Sequence, residues 1–336
     1  MKEYIEKCLR GEHLTTEEAG QALELIMTNR ATEAQIAGLL VALRAKGESV
    51  EELVGFARTM REHAVNIDID DENAVDVCGT GGDALGTFNI STVAAFVISG
   101  AGVTVAKHGN KSVSSKCGSA DLLHALGVNI QLSPDKVRDC INAVGVGFLF
   151  APLFHPAMKY VGKTRSELGL RTIFNMLGPI TNPARVKKQL IGTYHSSVAP
   201  KLATAMELLS TDKTCVVHSN DGLDEVALSG ETAVYEVEKK KSSTRYAVTH
   251  ETFDLPSQPI SALRGGSPED NASIARRVLG KERSPARDVV LANAAFGIYI
   301  AGKARDLREG SAMAAESIDS GKACEKLNRM VDFTNQ

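Results

Sequence analysis

The sequence contains no tryptophan, and aromatic residues make up only 5% of its 336 residues. Excess positive charge is also absent, since the formal net charge is −3, and this argues against nucleic acid as the main partner. Every long apolar stretch is interrupted by glycine or proline, and residues 1–7 have no apolar signal core. We therefore expect neither membrane insertion nor secretion.

Cysteine occurs without the paired spacing of a zinc site or a disulfide framework. Scattered thiols fit a reducing compartment, so we expect a cytoplasmic protein. A chain of 336 residues, 43% of them hydrophobic, can bury a substantial core and is long enough for two domains. The cysteines are Cys8, Cys78, Cys117, Cys140, Cys215 and Cys324.

The N-terminal part of the chain repeats a helix-start signal. Capping boxes begin at Thr15, Thr32 and Ser49, each with Glu or Gln three residues later. Apolar residues at helical spacing follow the second and third boxes. Such stripes must pack on one another, on the later segment 155–182, or on a second subunit.

A glycine-rich segment, Gly79 to Asp83, follows the first predicted strand, Asn73 to Val77. Glycines let backbone N–H groups approach a ligand, and Ser91 and Thr92 stand at the start of an apolar helix whose N-terminus favours an anion. The two motifs predict a diphosphate pocket in which Ser91 also ligates Mg²⁺. Either motif alone fits an ordinary turn or helix cap equally well. The dinucleotide and Walker fingerprints are absent, which disfavours NAD and ATP.

A second predicted strand, Val103 to Ala106, leads into Lys107-His108-Gly109-Asn110. Repetition of strand, polar turn and helix indicates an α/β fold with a parallel sheet whose carboxyl edge collects the ligand groups. Lys107 offers a positive charge for a phosphate. A surface turn is the simpler interpretation of residues 107–110. The Lys- and Ser-rich segment 111–119, placed between apolar segments, favours an anion-binding loop over a linker.

An acidic pair, Asp224-Glu225, follows the predicted strand Thr214 to Val217. Mg²⁺ is commonly held by one or two carboxylates together with substrate phosphates and water. Alone, an Asp-Glu pair near glycine is usually a solvated turn. The phosphate-type loops elsewhere in the chain favour the metal interpretation.

Six strings in the sequence are long or unusual, and they are Gly79–Asp83, Lys107–Asn110, Gly118–Asp121, His155–Lys159, Arg171–Asn175 and Asp224–Glu225. Together they resemble the anthranilate phosphoribosyltransferase family. The resemblance implies transfer of a 5-phosphoribosyl group from phosphoribosyl pyrophosphate (PRPP) to the amine of anthranilate, with release of pyrophosphate, in tryptophan biosynthesis. It also implies two Mg²⁺ ions and a homodimer.

The family fold implied is a small discontinuous α-helical domain plus a larger α/β domain with a central, mostly parallel sheet, of the nucleoside phosphorylase and phosphoribosyltransferase type. Residues 1–72 and 153–182 would form the helical domain, which carries dimerisation and the acceptor side. Residues 73–152 and 183–336 would form the PRPP-binding domain. The active site would lie in the cleft between them, and domain closure would bring Arg165 toward the phosphate loops.

Site residues follow by motif match. The resemblance assigns Mg²⁺ to Ser91, Asp224 and Glu225. It assigns anthranilate to Gly79, His108, Asn110, His155 and Arg165. It assigns PRPP to Gly79, Gly82, Asp83, Thr87, Asn89, Ser91, Thr92, Lys107 and Ser119.

The chemistry leaves the general base open. A neutral aromatic amine is already nucleophilic, so a strong base is not required. His108 is the nearest candidate, but a histidine after a lysine is more often a structural donor. Arg165 can pair with the anthranilate carboxylate, or it can be a surface arginine paired with Glu167.

Two other functions compete with the transferase. A pyrimidine nucleoside phosphorylase has a related architecture and similar ribosyl chemistry, but its pattern lacks the Lys107–Asn110 string. A non-catalytic ligand-binding paralogue would have lost metal or acceptor residues and gained a basic surface. The candidate residues are all present here and the chain is slightly acidic, so both rank below the transferase.

Overall fold

The structure is a computed structural model that describes residues 1–112 and 116–336. Three residues of the predicted anion-binding loop, Val113 to Ser115, lie outside this part. Within it, the N-terminal helices are α1 (Lys2–Leu9), α2 (Thr16–Met27), α3 (Glu33–Lys46) and α4 (Val50–Glu62). The later helices are α5 (Ile90–Gly100), α6 (Ser119–Ala125), α7 (Pro134–Val144), α8 (Ala151–Phe154), α9 (Lys159–Leu168), α10 (Phe174–Ile180), α11 (Val198–Leu208), α12 (Pro268–Leu279), α13 (Pro285–Ile300), α14 (Leu307–Asp319) and α15 (Lys322–Thr334).

The predicted capping boxes start three of these helices. Thr15, Thr32 and Ser49 are the N-caps of α2, α3 and α4, and each side chain accepts a hydrogen bond from the backbone N–H three residues later. The Glu or Gln at that position accepts a bond from the backbone N–H of the cap. Reciprocal capping satisfies two otherwise unpaired donors, which fixes where each helix begins.

The apolar stripes of α3 and α4 are buried within this chain. Leu39 and Leu40 of α3 and Phe56 of α4 are fully buried in one cluster with Phe174 of α10 and Leu202 of α11. Segment 155–182 therefore packs on the N-terminal helices, as the sequence predicted for one of three possible partners.

One seven-stranded sheet has the order β3-β2-β1-β4-β5-β6-β7. The first five strands run parallel to one another, and β6 and β7 are antiparallel. This confirms the predicted mostly parallel sheet. The strands are β1 (Val75–Gly79), β2 (Val105–Gly109), β3 (Val146–Phe150), β4 (Lys188–Gly192), β5 (Lys213–Ser219), β6 (Thr232–Glu238) and β7 (Thr244–Val248).

Both early strands begin and end later than the sequence indicated. The N–H of Asn73 donates to Asp71 in a turn at 2.8 Å, so β1 starts at Val75 and continues to Gly79. β2 pairs with β3 as far as Gly109, so Lys107, His108 and Gly109 belong to the strand and not to a turn after it. Strand geometry therefore fixes the direction of the Lys107 and His108 side chains.

Helices cover both faces of the sheet, as parallel strands require. Cys215 and Val217 of β5 face the core formed with α5 and α13, whereas Val216 between them faces the helical cluster. No helix among residues 1–112 and 116–336 is long and apolar enough to cross a membrane.

Candidate active site

The carboxyl ends of four neighbouring strands meet at one edge of the sheet. The last residues of β2, β1, β4 and β5 are Gly109, Gly79, Gly192 and Ser219, and the chain crosses from β3 to the other side of β1 before forming β4. Such a reversal of strand order opens a crevice at the carboxyl edge of an α/β sheet. Candidate residues from the glycine-rich loop, from α5, from β2 and from the Asp224-Glu225 pair contact one another there.

The glycine-rich loop is held from two sides. The N–H of Thr80 donates to the Gly192 carbonyl at 2.8 Å, and the N–H of Gly81 donates to Oδ2 of Asp224 at 2.7 Å. Gly81 and Gly82 have φ values of +69° and +81°, which side chains other than glycine rarely adopt. The sequence therefore needs glycine here to turn backbone donors toward the crevice.

Two further glycines allow a carboxylate to sit against the strand ends. A Cβ atom on Gly79 would overlap the Asp224 carboxylate, and one on Gly192 would overlap the Asp224 carbonyl oxygen. Sequence reasoning missed Gly192. Its signal was available, because Gly192 ends an apolar strand as Gly79 and Gly109 do.

Helix α5 presents its N-terminus to the same crevice. The N–H of Ser91 donates to Oε1 of Glu225 at 3.1 Å. The Lys107 side chain is only 4% exposed, and its ammonium donates to the Val77 carbonyl at 2.5 Å and to Oγ of Ser91 at 3.3 Å. A helix terminus, a buried cation and a buried acid thus lie side by side, an arrangement that can bind an anion.

The two acids are strongly perturbed. Burial, followed by repulsion from Glu225 and Asp83, raises the pKa of Asp224 well above its usual value. Burial raises the pKa of Glu225 to about 7, against the attraction of Lys107 and hydrogen bonds from Ser91. Acids crowded in a desolvated pocket are stabilised by a cation.

The donor set fits Mg²⁺ bound together with a phosphate. Within residues 1–112 and 116–336, no group of three His, Cys, Asp or Glu side chains is arranged to hold a metal ion. Asp224 and Glu225 supply carboxylate oxygens, and Ser91 supplies a hydroxyl. Mg²⁺ with so few protein ligands completes its shell with substrate phosphates and water.

Three further predicted PRPP residues, Thr87, Asn89 and Thr92, lie along the chain from the glycine-rich loop to the first turn of α5. Thr87 forms an isolated bridge with Arg264, and Thr92 is buried in the first turn of α5. The Asn89 amide is engaged within the protein, because Oδ1 accepts from Asn271 at 3.0 Å and Nδ2 donates to the Cys117 carbonyl at 3.1 Å.

Asn271, on α12, was missed by sequence reasoning. Ser119, the last of the predicted PRPP residues, donates from Oγ to the Asn110 carbonyl at 3.1 Å. This hydrogen bond joins the start of α6 to the end of β2.

Two neutral histidines mark the predicted acceptor side. The rings of His108 and His155 lie 5.1 Å apart, and both residues are buried. Burial lowers the pKa of His108 to about 3 and that of His155 to about 4. His108 Nδ1 contacts the Gly178 carbonyl at 3.0 Å, and its Nε2 has no hydrogen-bond partner among the described residues.

Arg165 lies with its guanidinium 5.2 Å from the centre of the Phe174 ring. Burial lowers the pKa of Arg165. Within the described ranges, Glu167 forms its ion pair with Lys163 at 4.0 Å and not with Arg165. The alternative interpretation, in which Arg165 is a surface residue paired with Glu167, is therefore wrong.

A buried acid, Asp76, supports the strand from which Lys107 projects, and sequence reasoning missed it too. Its carboxylate accepts from the N–H of His108 at 3.1 Å and from Nδ2 of Asn182 at 2.8 Å. Burial raises the pKa of Asp76, while Lys107 opposes that rise. Side-chain bonds thus tie β1 to β2 beneath the site.

Comparison with known proteins agrees with this geometry. Residues 71–324 match the family model described as glycosyl transferase family, a/b domain, and residues 2–64 match its helical bundle domain. The anthranilate phosphoribosyltransferase of Moorella thermoacetica is 51% identical, covering 98% of this chain and 97% of the relative. That of Pelotomaculum thermopropionicum is 50% identical, with 99% and 96% covered.

The chain belongs to the anthranilate phosphoribosyltransferases. The solved anthranilate phosphoribosyltransferase of Thermus thermophilus is similar in fold, with a TM-score of 0.94, 44% identity and 99% of each chain covered. That of Saccharomyces cerevisiae, solved in complex with PRPP and Mg, has a TM-score of 0.92 at 30% identity, covering 99% of this chain and 97% of its own.

Membership of the anthranilate phosphoribosyltransferases confirms the resemblance, the fold class and the assignment to the pentosyltransferases. It favours the transferase over a nucleoside phosphorylase or a binding paralogue. The roles of individual residues stay predictions.

Proposed function

We propose that this chain transfers the 5-phosphoribosyl group of PRPP to the amine of anthranilate and releases pyrophosphate. The bond from the anomeric carbon to the pyrophosphate oxygen breaks, a carbon–nitrogen bond forms, and the amine loses one proton. The observation that carries the proposal is that hydrogen-bond donors able to bind an anion lie beside buried acids at the carboxyl edge of the sheet. Gly81 and Ser91 each present an N–H group beside Asp224 or Glu225, with Lys107 next to them.

These hydrogen-bond donors, together with a bound metal ion, would stabilise the pyrophosphate leaving group. Pyrophosphate gains negative charge as it departs, and N–H groups, a buried ammonium and a metal ion can all neutralise that charge. We assign PRPP binding to the loop and its surroundings, through the residues Gly79, Gly82, Asp83, Thr87, Asn89, Ser91, Thr92, Lys107 and Ser119. Asn89 would act chiefly through its backbone, since its amide is occupied by Asn271 and Cys117.

The proposed metal site consists of Ser91, Asp224 and Glu225, and we propose two Mg²⁺ ions there. Mg²⁺ supplies positive charge to the phosphates when it is bound. The two acids are crowded together in a desolvated pocket, which favours a divalent cation as their partner. The yeast relative with Mg supports the choice of metal.

Anthranilate would bind beside the two histidines. His108 and His155 are neutral at physiological pH because burial holds their pKa values low, so neither imidazole would donate a proton to the nucleophilic amine. Arg165 would pair with the carboxylate of anthranilate. Gly79 and Asn110 would complete the acceptor site. His108 stays a minor candidate for the proton acceptor.

We propose the domain division that the resemblance implies, and the packing of segment 155–182 on α3 and α4 supports it. Residues 1–72 and 153–182 would form the helical domain, and residues 73–152 and 183–336 the PRPP-binding domain, with closure bringing Arg165 nearer the phosphate loops. We also propose a homodimer through the helical domain, because Leu9 of α1 and Val41 of α3 are 71% and 42% exposed on that domain. The cysteines are scattered along the sequence without the spacing of a zinc site or a disulfide framework, which supports a cytoplasmic enzyme.

The test mixes enzyme, PRPP, Mg²⁺ and anthranilate, follows the fluorescence of anthranilate and measures released pyrophosphate. Equal loss of anthranilate and gain of pyrophosphate is the expected result. If neither changes while pyrimidine nucleosides are cleaved by phosphate, the phosphorylase is the function. Inactivity in both assays would leave the binding paralogue.

A further inference from the structure

Arg171 joins three segments that border the crevice, and no role is assigned to it above. It lies in the turn between α9 and α10, two residues after Gly169. Its Nη2 donates to the Gly82 carbonyl, and its guanidinium carbon lies 4.2 Å from the centre of the Tyr194 ring. Its own carbonyl accepts a hydrogen bond from Nη1 of Arg44 on α3.

The glycine-rich loop needs such a partner. Glycines with positive φ are conformationally free, so a loop containing Gly81 and Gly82 has many alternative arrangements. The Gly192 carbonyl holds the N–H of Thr80 and Asp224 holds that of Gly81, but both act before Gly82. Arg171 holds the Gly82 carbonyl. Because a peptide unit is planar and trans, this bond also fixes the direction of the Asp83 N–H.

The contact requires the shape of arginine. A planar guanidinium can lie against the Tyr194 ring and donate in its own plane to the Gly82 carbonyl at the same time. The backbone of Tyr194 is itself tied to the loop, since the Tyr194 N–H donates to Oγ1 of Thr80 at 3.2 Å. Arg171, Tyr194 and Thr80 thus form a closed set of contacts around the loop.

We propose that Arg171 is a positioning residue that fixes the glycine-rich loop for the diphosphate of PRPP. This inference rests on the proposed function, because it takes the loop to be the PRPP site. Arg171 acts through the Gly82 peptide, and it links that loop to the segment that carries Arg165. Loss of the Arg171 side chain therefore weakens the binding of PRPP more than the binding of anthranilate.

Arg171 is exposed, so its replacement removes little buried surface. This separates positioning from a general role in stability. The Arg171→Ala variant should keep the melting temperature of the parent protein within a degree or two. A hydrogen bond from a charged donor is worth tenfold or more in an equilibrium constant, so the KM for PRPP should rise about tenfold or more. The KM for anthranilate should change by less than about threefold, which is well below the change in the KM for PRPP.

The experiment measures both KM values, kcat and the binding of Mg²⁺-pyrophosphate by calorimetry for four variants. Arg171→Lys keeps the charge without the planar fork and should recover little of the PRPP affinity. Two matched controls should resemble the parent protein. Arg58→Ala removes an exposed arginine that donates to the Leu208 carbonyl at 3.3 Å, and Arg245→Ala removes one lying 5.6 Å from the Tyr235 ring.

Equal rises in both KM values with a fall in melting temperature would mean a structural role and overturn the proposal. An unchanged PRPP KM for Arg171→Ala would overturn it as well, and so would full recovery by lysine. The proposed function fails separately, when the parent protein forms no product. In that case, calorimetry still decides, since unchanged pyrophosphate affinity in Arg171→Ala refutes the positioning role.

Discussion

Replacing Glu225 by glutamine is expected to stabilise the protein while it abolishes the reaction. Burial raises the pKa of Glu225 from its ordinary value of 4.5 to about 7. An acid whose pKa is higher in the folded than in the unfolded state binds its proton more tightly when folded. Its ionisation therefore lowers the free energy of unfolding as the pH rises from 4.5 to 7.

The size of the effect follows from the two pKa values. They differ by about 2.5, and one pKa unit corresponds to about 1.4 kcal/mol, so the cost of ionised Glu225 is about 3 kcal/mol at pH 8. At pH 5.5 the same calculation leaves about 1 kcal/mol. Glutamine avoids the cost and keeps an oxygen that can accept from the Ser91 N–H. For a chain of this length, the gain at pH 8 amounts to roughly 5 °C in melting temperature.

The assay is unfolding by denaturant in the presence of EDTA, at pH 8 and at pH 5.5. Glu225→Gln should be more stable than the parent protein at both values, with the larger gain at pH 8. Glu251→Gln makes the same chemical change at an exposed position and should have no effect. The reasoning is refuted if Glu225→Gln is destabilised at pH 8, or if its gain does not depend on pH.

Three other substitutions test the site. Gly192→Ala places a Cβ atom over the Asp224 carbonyl and should lower kcat/KM at least tenfold, whereas Gly162→Ala has nothing within 4 Å and should be neutral in the same kinetic assay. Asp224→Asn should lose activity with an unchanged circular dichroism spectrum, and full activity at ordinary Mg²⁺ would remove its metal role. Arg165→Ala should raise the KM for anthranilate well above any change in the KM for PRPP, and an unchanged anthranilate KM would exclude Arg165 from the acceptor site.

Local signals in the sequence were sufficient for much of the fold. The capping boxes at Thr15, Thr32 and Ser49 involve residues only three positions apart, so they could be identified without knowledge of the tertiary structure. Strand limits were less accurate because sheet partners decide them. β2 extends through Lys107 to Gly109 only because it pairs with β3.

The supporting residues of the site could not be predicted because their partners are distant in the sequence. Arg171 contacts Gly82 across 89 positions, and Asn271 contacts Asn89 across 182. Asp76 resembles any acid in a strand until the side chain of Asn182 is seen to donate to it. Motif resemblance found residues expected to touch ligands and included Arg171 in a matching string, but no local pattern shows which distant group such a residue contacts.

The two acids occupy donors that a diphosphate would use. Asp224 accepts from the Gly81 N–H, and Glu225 accepts from the Ser91 N–H at the start of α5. A phosphate can take these donors only when the carboxylates move aside, and until then their negative charge opposes its entry. Asp224 and Glu225 would hold a divalent cation in the proposed site, and its positive charge would neutralise theirs and leave the N–H groups to the diphosphate. If the proposed sites are correct, metal and diphosphate binding would be coupled, and each ligand would raise the affinity for the other by the same factor.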